Sequence, residues 1–486
     1  MGIVQNQSFK NTIITYVGFA FGAINTLFLY TNFISDNYYG LITFILSTAL
    51  ILMPLLAFGA HNTLIKFFSS FKTKDALNSF LSLMLILPLV MAIPIACLIY
   101  FAYNPLSELI SNENTIIKNY LWHIFITGIA LAYFEVFYAW SKVHLHSVFG
   151  NFMKEVFHRA CIMGLLFLVY LKYITVDQLI SGIVIVYIVR MLIMMLYAFN
   201  LRLPVFKLKR PDTFIEIIKY STLIIVAGSV SVLLLDIDKF MISQYIKIEE
   251  VAYYGVAIYI ASVIAVPARS LQQIASPLTA NFLNNNDLIS LKSLYHKSSI
   301  NLLIISGLLF VLIITNIHDL YKIIPNEFSG GFYVVLMVGI AKLFDSLLGN
   351  NNAILFNSDY YRIVLVLGVL LAILTIVFNI IFIPLYGIEG AAFATFLAIL
   401  IYNTSKVIFV KIKLNMLPFT IKTIHIFLIL VSFVLFFYFL DLSFHPILNI
   451  AFKAVIITSI YTLLIYKFNL SEDISKLINS YLRRKV

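Results

Sequence analysis

Charge is scarce in this chain. Only 11% of its 486 residues are Asp, Glu, Lys or Arg, against about 25% in an average soluble domain. That shortage excludes a water-soluble globular enzyme, and it excludes disorder, which needs the opposite composition. Cysteine is nearly absent, with Cys97 and Cys161 the whole set. Both fall inside apolar runs, so they read as small core residues rather than as a disulfide or a metal pair. No Gly-x-x-x-x-Gly-Lys-Ser/Thr sequence occurs, so the chain carries no P-loop ATPase of its own. His-Glu-x-x-His and paired-Cys metal spacings are missing too. So is any long polar segment of the kind a membrane-embedded transferase uses to hold acid–base groups. No catalytic constellation is expected, and the chain reads as a non-enzyme without a resident cofactor.

What is present is apolar. Hydrophobic residues make up 62% of the chain, and mean hydropathy is +0.98. Apolar stretches run at 11–33, 41–64, 79–103, 118–140, 155–172, 177–199, 215–238, 251–275, 298–317, 332–350, 363–384, 387–410, 418–440 and 446–466. Each is long enough to cross a hydrocarbon core of about 30 Å, although the fifth, seventh and tenth are short or carry charge. The expected fold is an all-α polytopic membrane protein with about 14 transmembrane helices. The first stretch is too long for a signal-peptide core and lacks a small-residue cleavage site, so it is expected to be retained.

The net charge of +11 is unevenly placed. With a cytoplasmic N-terminus, 23 Lys and Arg fall on the termini and the even-numbered connections. Only Lys118, Lys172, Lys247 and Lys322 fall on the odd-numbered ones. This asymmetry puts both termini in the cytoplasm, and the basic surplus faces anionic inner-leaflet lipids, not nucleic acid. In the tail, Leu470, Ile474, Leu477, Ile478, Tyr481 and Leu482 recur opposite Glu472, Asp473, Lys476, Arg483 and Arg484, with Ser471 placed to cap them. That spacing predicts an amphipathic helix within 467–486, lying on the inner leaflet.

An internal repeat sets the domain plan. Residues 37–45 read Asn-Tyr-Tyr-Gly-Leu-Ile-Thr-Phe-Ile, and residues 252–260 read Ala-Tyr-Tyr-Gly-Val-Ala-Ile-Tyr-Ile. Gly40 and Gly255 each open a span after acidic residues (Asp36; Glu249 and Glu250). Each is followed by an intramembrane proline, Pro54 or Pro267, and then by a polar connection holding Asp75 or Asp287. An even number of spans separates the copies, so both halves share one orientation and are related by a pseudo-two-fold along the membrane normal. The plan is an N-lobe over 1–199, a basic linker over 200–214, a C-lobe over 215–410, two further spans over 411–466, and the tail over 467–486.

Ionisable side chains inside spans cost several kcal/mol and face a cavity or one another. They are His123, Glu135, His158, Arg190, Asp236, Asp238, Lys239, Arg269, Lys342, Asp345, Lys406 and Lys453. Lys406 and Lys453 read as side chains that snorkel to the interface. Arg190 and Arg269 lie deeper. Asp236 with Lys239, and Lys342 with Asp345, are spaced to pair on one helical face; such pairs either line a cavity or only hold helices together. Glu135 has no partner near it in sequence and is the candidate protonatable coupling group. His123 and His158 read as packed or interfacial. Asn25, Gln272, Gln273, Asn350, Asn351 and Asn352 can hydrogen-bond sugar hydroxyls or one another.

Several stretches resemble a known family. The opening around Asn11-Thr12 and Asp36-Asn37-Tyr38-Tyr39-Gly40-Leu41 is similar to that of bacterial polysaccharide-biosynthesis flippases. These are the Wzx-type O-antigen and capsule transporters of the multidrug/oligosaccharidyl-lipid/polysaccharide (MOP) exporter superfamily. Asp238-Lys239-Phe240-Met241-Ile242, with Tyr254-Gly255-Val256-Ala257, resembles the family's pattern for spans 7 and 8. Asn379 and the run Pro384-Leu385-Tyr386-Gly387-Ile388-Glu389-Gly390-Ala391-Ala392-Phe393-Ala394-Thr395 resemble its pattern for spans 11 and 12, where the small residues suit close helix packing.

The resemblance covers residues 8–410. It implies two pseudo-symmetric six-helix lobes of MATE/MurJ-like fold plus two C-terminal helices, in the bacterial cytoplasmic (inner) membrane. It further implies carriage of a polyprenyl(undecaprenyl)-diphosphate-linked oligosaccharide to the periplasmic leaflet, for O-antigen, capsule, lipopolysaccharide or exopolysaccharide synthesis, alongside polysaccharide polymerase machinery. Only Asp238 and Lys239 carry over by motif. A diphosphate drawn into a membrane cavity calls for Arg or Lys partners. The expected cavity cations are therefore Arg190, Lys239, Arg269 and Lys342, with Glu135, Asp236, Asp238 and Asp345 as coupling or charge partners, and Asn25, Gln272, Gln273 and Asn350 as sugar contacts. Coupling to H+ or Na+ belongs to the class. The alternatives are a MATE-like drug or metabolite exporter, which for cationic cargo needs an acid-dominated cavity, and a membrane-embedded glycan polymerase.

Overall fold

The computed structural model describes residues 3–207, 209–210, 213–440 and 444–483, and no strand occurs among them. The helices that position the site are α1 (Ile3–Ala23), α2 (Asp36–Leu56), α3 (Ala60–Phe67), α4 (Lys74–Phe101), α5 (Leu121–Val143), α6 (His158–Tyr170), α7 (Val176–Leu201) and α8 (Phe214–Tyr245). Then come α9 (Glu249–Ser262), α10 (Val266–Asn284), α11 (Leu288–Tyr321), α12 (Phe332–Leu347), α13 (Asn351–Asn357), α14 (Tyr361–Leu414), α15 (Ile421–Tyr438), α16 (Pro446–Lys467) and α17 (Glu472–Arg483).

Among the described residues, eleven helical segments are long and apolar enough to cross a membrane. One of them, Arg362–Leu414, covers both the eleventh and twelfth expected stretches. It folds back at Gly387, whose φ of 58° and ψ of −134° lie where glycine alone is at ease. Pro384 has no N–H to offer the ladder there, and a side chain at Gly390 would collide with the Phe382 carbonyl. The motif is a turn between two packed arms. The fifth and seventh expected stretches are helical but are not among the eleven. α6 is a 13-residue helix, and α8 is a 32-residue helix whose side chains over 226–235 lie outside the described ones.

Local chemistry explains several helix ends. Thr175 and Gln178 form a reciprocal capping box at the start of α7. Asp287 caps α11 by accepting from the Ser290 N–H at 3.0 Å, and the hydrogen bonds from Ser290 hold its carboxyl below the ordinary range. Asp75, its repeat counterpart, sits in the first turn of α4. In both copies the span is interrupted beside the repeat's proline. Pro54 lies in the last turn of α2 before Gly59 turns left-handed at φ 63°. Pro267 opens α10 after a 3-10 turn at Val263–Ala265.

The chain forms two compact units, Met1–Gly255 and Val256–Val486. In the first, Leu64, Phe80, Met84, Phe134, Phe137, Trp140 and Met194 bring α3, α4, α5 and α7 around one core. α8 packs here too, with Phe240 stacked 5.8 Å from Phe44 of α2. In the second, Ile304, Val311, Leu430, Phe433, Ile457 and Tyr461 join α11 to α15 and α16. The tail helix α17 is capped by Ser471 as expected, through the Ile474 N–H at 3.2 Å. Its start is docked onto the bundle: Leu470 is buried in that same core, and Asp473 accepts from Asn301 at 2.8 Å. Residues 484–486 lie outside the described ones.

The repeat has a structural echo. Tyr39 and Tyr254 occupy equivalent positions, and each phenol donates back to the preceding span. Tyr39 bonds the Thr26 carbonyl at 3.2 Å, and Tyr254 bonds the Asp238 carboxylate. The second copy has replaced a backbone acceptor with a buried charge. The neighbouring Tyr253 donates to Asp36 at 2.7 Å.

Three expectations are corrected. Cys97 is exposed on α4 rather than packed in the core. Lys453 does not snorkel: it is 4% exposed and pairs with buried Asp319 at 3.3 Å. Lys406, at 1% exposed, donates to Asn352 at 2.9 Å and lies 3.9 Å from Asp345. Neither lysine had a partner within one helical turn of sequence, so periodicity did not reveal the pairing.

Candidate functional site

In the first unit three helices converge on a charged cluster. α5 supplies Phe134 and Glu135, α7 supplies Tyr187 and Arg190, and α6 with the turn before it supplies Lys154, Glu155, His158 and Arg159. That turn, Met153–Phe157, is a π-helix, and Ile24–Leu29 of the first span is another. A π turn adds one residue and rotates everything after it on the helix, a device frequent at functional sites. The first of these turns is tied to α6, because Asn25 donates its amide to the Arg159 carbonyl at 2.8 Å.

The charges in this cluster do not cancel. Glu135 binds Lys154 at 2.6 Å, and Glu155 binds Arg159 at 3.4 Å one helical turn on. Arg190 is left over. Only 3% exposed, it has no carboxylate in ion-pair range among the described residues, and its Nε has no hydrogen-bond partner. Its guanidinium carbon lies 4.1 Å over the Phe134 ring and 4.8 Å from the Tyr187 ring. An Nη1 contact of 3.5 Å reaches His158 Nδ1, a hydrogen bond when that nitrogen is the acceptor. Ring contacts return about 0.5–2 kcal/mol each, less than the several kcal/mol that a buried cation costs. Arg190 is thus a buried positive charge that no carboxylate among the described residues pairs, with hydrogen-bonding capacity to spare. Chemically it is prepared for an anion.

The other expected site residues fall in different surroundings. Asp236 and Lys239 pair at 3.0 Å on α8, as their spacing predicted. Asp238 is 2% exposed and held by Tyr254. Asp345 faces Lys406, and Lys342 is half-buried on α12. Arg269 is exposed on α10, Gln272 is half-buried, and the side chain of Gln273 lies outside the described residues. Asn25 and Asn350 are buried and engaged by the protein itself: Asn350 accepts from Ser298 at 3.1 Å and donates to Thr279 at 2.8 Å. His123 lies 3.5 Å from Ser181.

Sequence reasoning missed Lys154, Glu155 and Arg159 as members of the cluster, having assigned the two cations to a polar connection. The available signal was the i,i+4 pair Glu155–Arg159 leading into an apolar stretch. Asp319 was missed as well. It binds Lys322 at 3.2 Å, Lys453 at 3.3 Å and Asn449 at 3.4 Å, so in the second unit the buried Lys453 has the carboxylate partner that Arg190 lacks, while Lys322 is exposed.

Known proteins supply the remaining context. Residues 7–282 match the family described as polysaccharide biosynthesis protein. No curated protein sequence matches the chain significantly. Among solved structures, the lipid II flippase MurJ in an inward closed conformation superposes with a TM-score of 0.73 at 16% identity, over 95% of this chain and 99% of that one. A MOP superfamily transporter from Pyrococcus furiosus, described as having a binding pocket of reverse polarity, gives 0.61 at 12% identity over 86% and 96%. An outward-facing multidrug resistance MATE family transporter gives 0.56 at 13% identity over 85% and 97%. At these identities the likeness is one of fold. The chain belongs to the polysaccharide biosynthesis protein family and has the fold of MOP superfamily transporters.

Proposed function

We propose that this protein is a flippase. It moves a polyprenyl(undecaprenyl)-diphosphate-linked oligosaccharide from the cytoplasmic to the periplasmic leaflet of the bacterial inner membrane, for assembly of a surface polysaccharide. Family membership and the flippase fold support the class. The observation that carries the substrate chemistry is Arg190, a buried guanidinium with no carboxylate partner among the described residues. A diphosphate has the charge and acceptor geometry that a planar guanidinium binds in bidentate fashion. A cavity for a cationic drug would need the reverse polarity, which weighs against the exporter reading. In the proposed cycle the lipid tail stays in the bilayer while the headgroup crosses by alternating access. Glu135, bonded to Lys154, is the proposed coupling group for H+, and both termini face the cytoplasm by the positive-inside asymmetry.

The experiment is deletion of the gene in its host, followed by mass spectrometry of undecaprenyl-diphosphate glycans and surface polysaccharide. Accumulation of one complete lipid-linked repeat unit, with loss of one polymer, is the expected result and names the glycan. Unchanged glycans with heightened sensitivity to a cationic drug would overturn the proposal.

A further inference from the structure

A second cationic feature lies away from the Arg190 cluster, where the linker after α7 returns along α4. The linker backbone is strapped to one face of α4 by residues at helical spacing. Asn78 accepts from Arg202 at 2.9 Å. Ser82 donates to the Val205 carbonyl at 3.2 Å and accepts the Lys207 N–H at 3.0 Å. Asp75 takes the Lys207 ammonium. This fixed strap leaves a cleft of about 360 Å³ lined by Ser79, Leu83, Ile86, Lys207, Lys209, Arg210 and Phe214.

The cleft has two chemically distinct parts. Its rim is basic. Lys207 is taken by Asp75, but Lys209 and Arg210 are exposed and have no ion pair among the described residues. Arg210 is held in place by Phe214, with its guanidinium carbon 4.3 Å from the ring. Among the described residues no carboxylate lines the cleft. Its floor is apolar and continues down α4. Leu83 and Ile86 are half-buried, and Val90, Ile93 and Cys97 follow on the same face, all exposed. From Leu83 to Cys97 the helix rises about 21 Å, more than the ~15 Å depth of one leaflet's hydrocarbon. A basic rim at one end of an apolar track as deep as a leaflet matches an anionic head on a hydrocarbon chain.

We propose that this cleft binds one anionic glycerophospholipid, its phosphate held by Lys209 and Arg210 and one acyl chain laid along Leu83, Ile86, Val90 and Ile93. The site is separate from the Arg190 cluster and does not depend on the transported substrate. The linker that carries the rim also runs into α8, so a bound lipid bridges α4 and the start of α8 through a single headgroup.

The test is native mass spectrometry of the full-length protein in detergent, titrated with phosphatidylglycerol, phosphatidylcholine, undecaprenyl phosphate or inorganic phosphate. Phosphatidylglycerol is expected to bind tightly in one copy and phosphatidylcholine not to bind. Two basic residues at a membrane surface contribute about 1 kcal/mol each, so the double variant Lys209→Gln/Arg210→Gln should weaken phosphatidylglycerol on the order of 30-fold. A control, Lys411→Gln/Lys413→Gln, should leave it unchanged. Leu83→Trp fills the acyl track and should weaken phosphatidylglycerol while sparing inorganic phosphate. Should Leu83→Trp not fold, the two exposed rim substitutions still decide the matter. Equal binding by wild type and the rim variant, an equal loss in the control, or inorganic phosphate displacing phosphatidylglycerol at comparable concentration would each overturn the proposal. Selective retention of undecaprenyl phosphate over phosphatidylglycerol would also overturn it, by making the cleft a carrier-lipid site.

Discussion

The guanidinium of Arg190 stacks on Phe134, one residue before Glu135, yet Glu135 spends its charge on Lys154 instead. The acid nearest in sequence to the stacking ring does not neutralise the arginine above it. Burying such a charge costs several kcal/mol, a cost that a bound anion would offset.

Substituting Arg190 should therefore separate stability from function. Arg190→Met keeps the length and stacking of the stem but removes a costly buried charge, so the melting temperature in detergent should stay level or rise. Losing a charge-assisted contact of about 1.5–3 kcal/mol should weaken substrate binding and transport roughly 10- to 100-fold. Lys at this position should recover part of the activity and Gln less, because only Lys restores the charge. Full transport by Arg190→Met at matched expression would remove the residue from the site.

Asp319 and Lys453 make the opposite case. Both are under 5% exposed, and they attach α16 to α11. Removing Asp319 alone should destabilise the protein by about 3–5 kcal/mol, since Lys453 is left buried without its carboxylate; removing Lys453 alone should cost less, since Asp319 keeps Lys322 and Asn449. Replacing both with apolar residues of similar volume should recover most of the loss. Thermal unfolding of Asp319→Leu, Lys453→Met and the double variant checks this; a double variant no more stable than the singles would disprove it.

The two repeat glycines should respond unequally. A methyl group at Gly40 would meet the Ile248 carbonyl, rigid backbone that no rotamer change can clear. At Gly255 the nearest atom is the Thr43 Cγ2 methyl at 3.3 Å, on a side chain that can yield. Gly40→Ala should abolish folded protein or transport. Gly255→Ala should be close to neutral, helped by the ~1 kcal/mol that alanine gains over glycine within a helix. Expression and transport assays of the pair would show a reversed order if the packing is otherwise.

For Glu135, the ion pair with Lys154 gives a direct test of coupling. Glu135→Gln cannot take up a proton and leaves a second uncompensated cation beside Arg190. Reconstituted transport should lose its dependence on a pH gradient. Dependence that survives the substitution would assign coupling to another group.

Much of this protein was legible from its residues. Helical membrane spans follow from hydropathy averaged over about 20 residues, a local property that no tertiary contact overrides. Ser471 as a cap and the Asp236–Lys239 pair came from short-range chemistry, and both are present; the run around Gly387 was read as close helix packing, and the structure makes it a turn. The equivalence of Tyr39 and Tyr254 was visible as a repeated tripeptide; that both phenols bond backwards was not.

The pairing of charges was decided by tertiary structure. Lys453 meets Asp319 across 134 residues, and Lys154 meets Glu135 across 19. Such meetings depend on how each helix is rotated about its own axis, and the π turns at Ile24–Leu29 and Met153–Phe157 shift that rotation with no clear mark in composition. Sequence determined that a handful of charges would sit in the membrane, because their scarcity and position are one-dimensional facts. Which of them would be cancelled, and that Arg190 would not be, depended on approach distances of a few ångströms between separate helices, where Coulomb energy is won or lost.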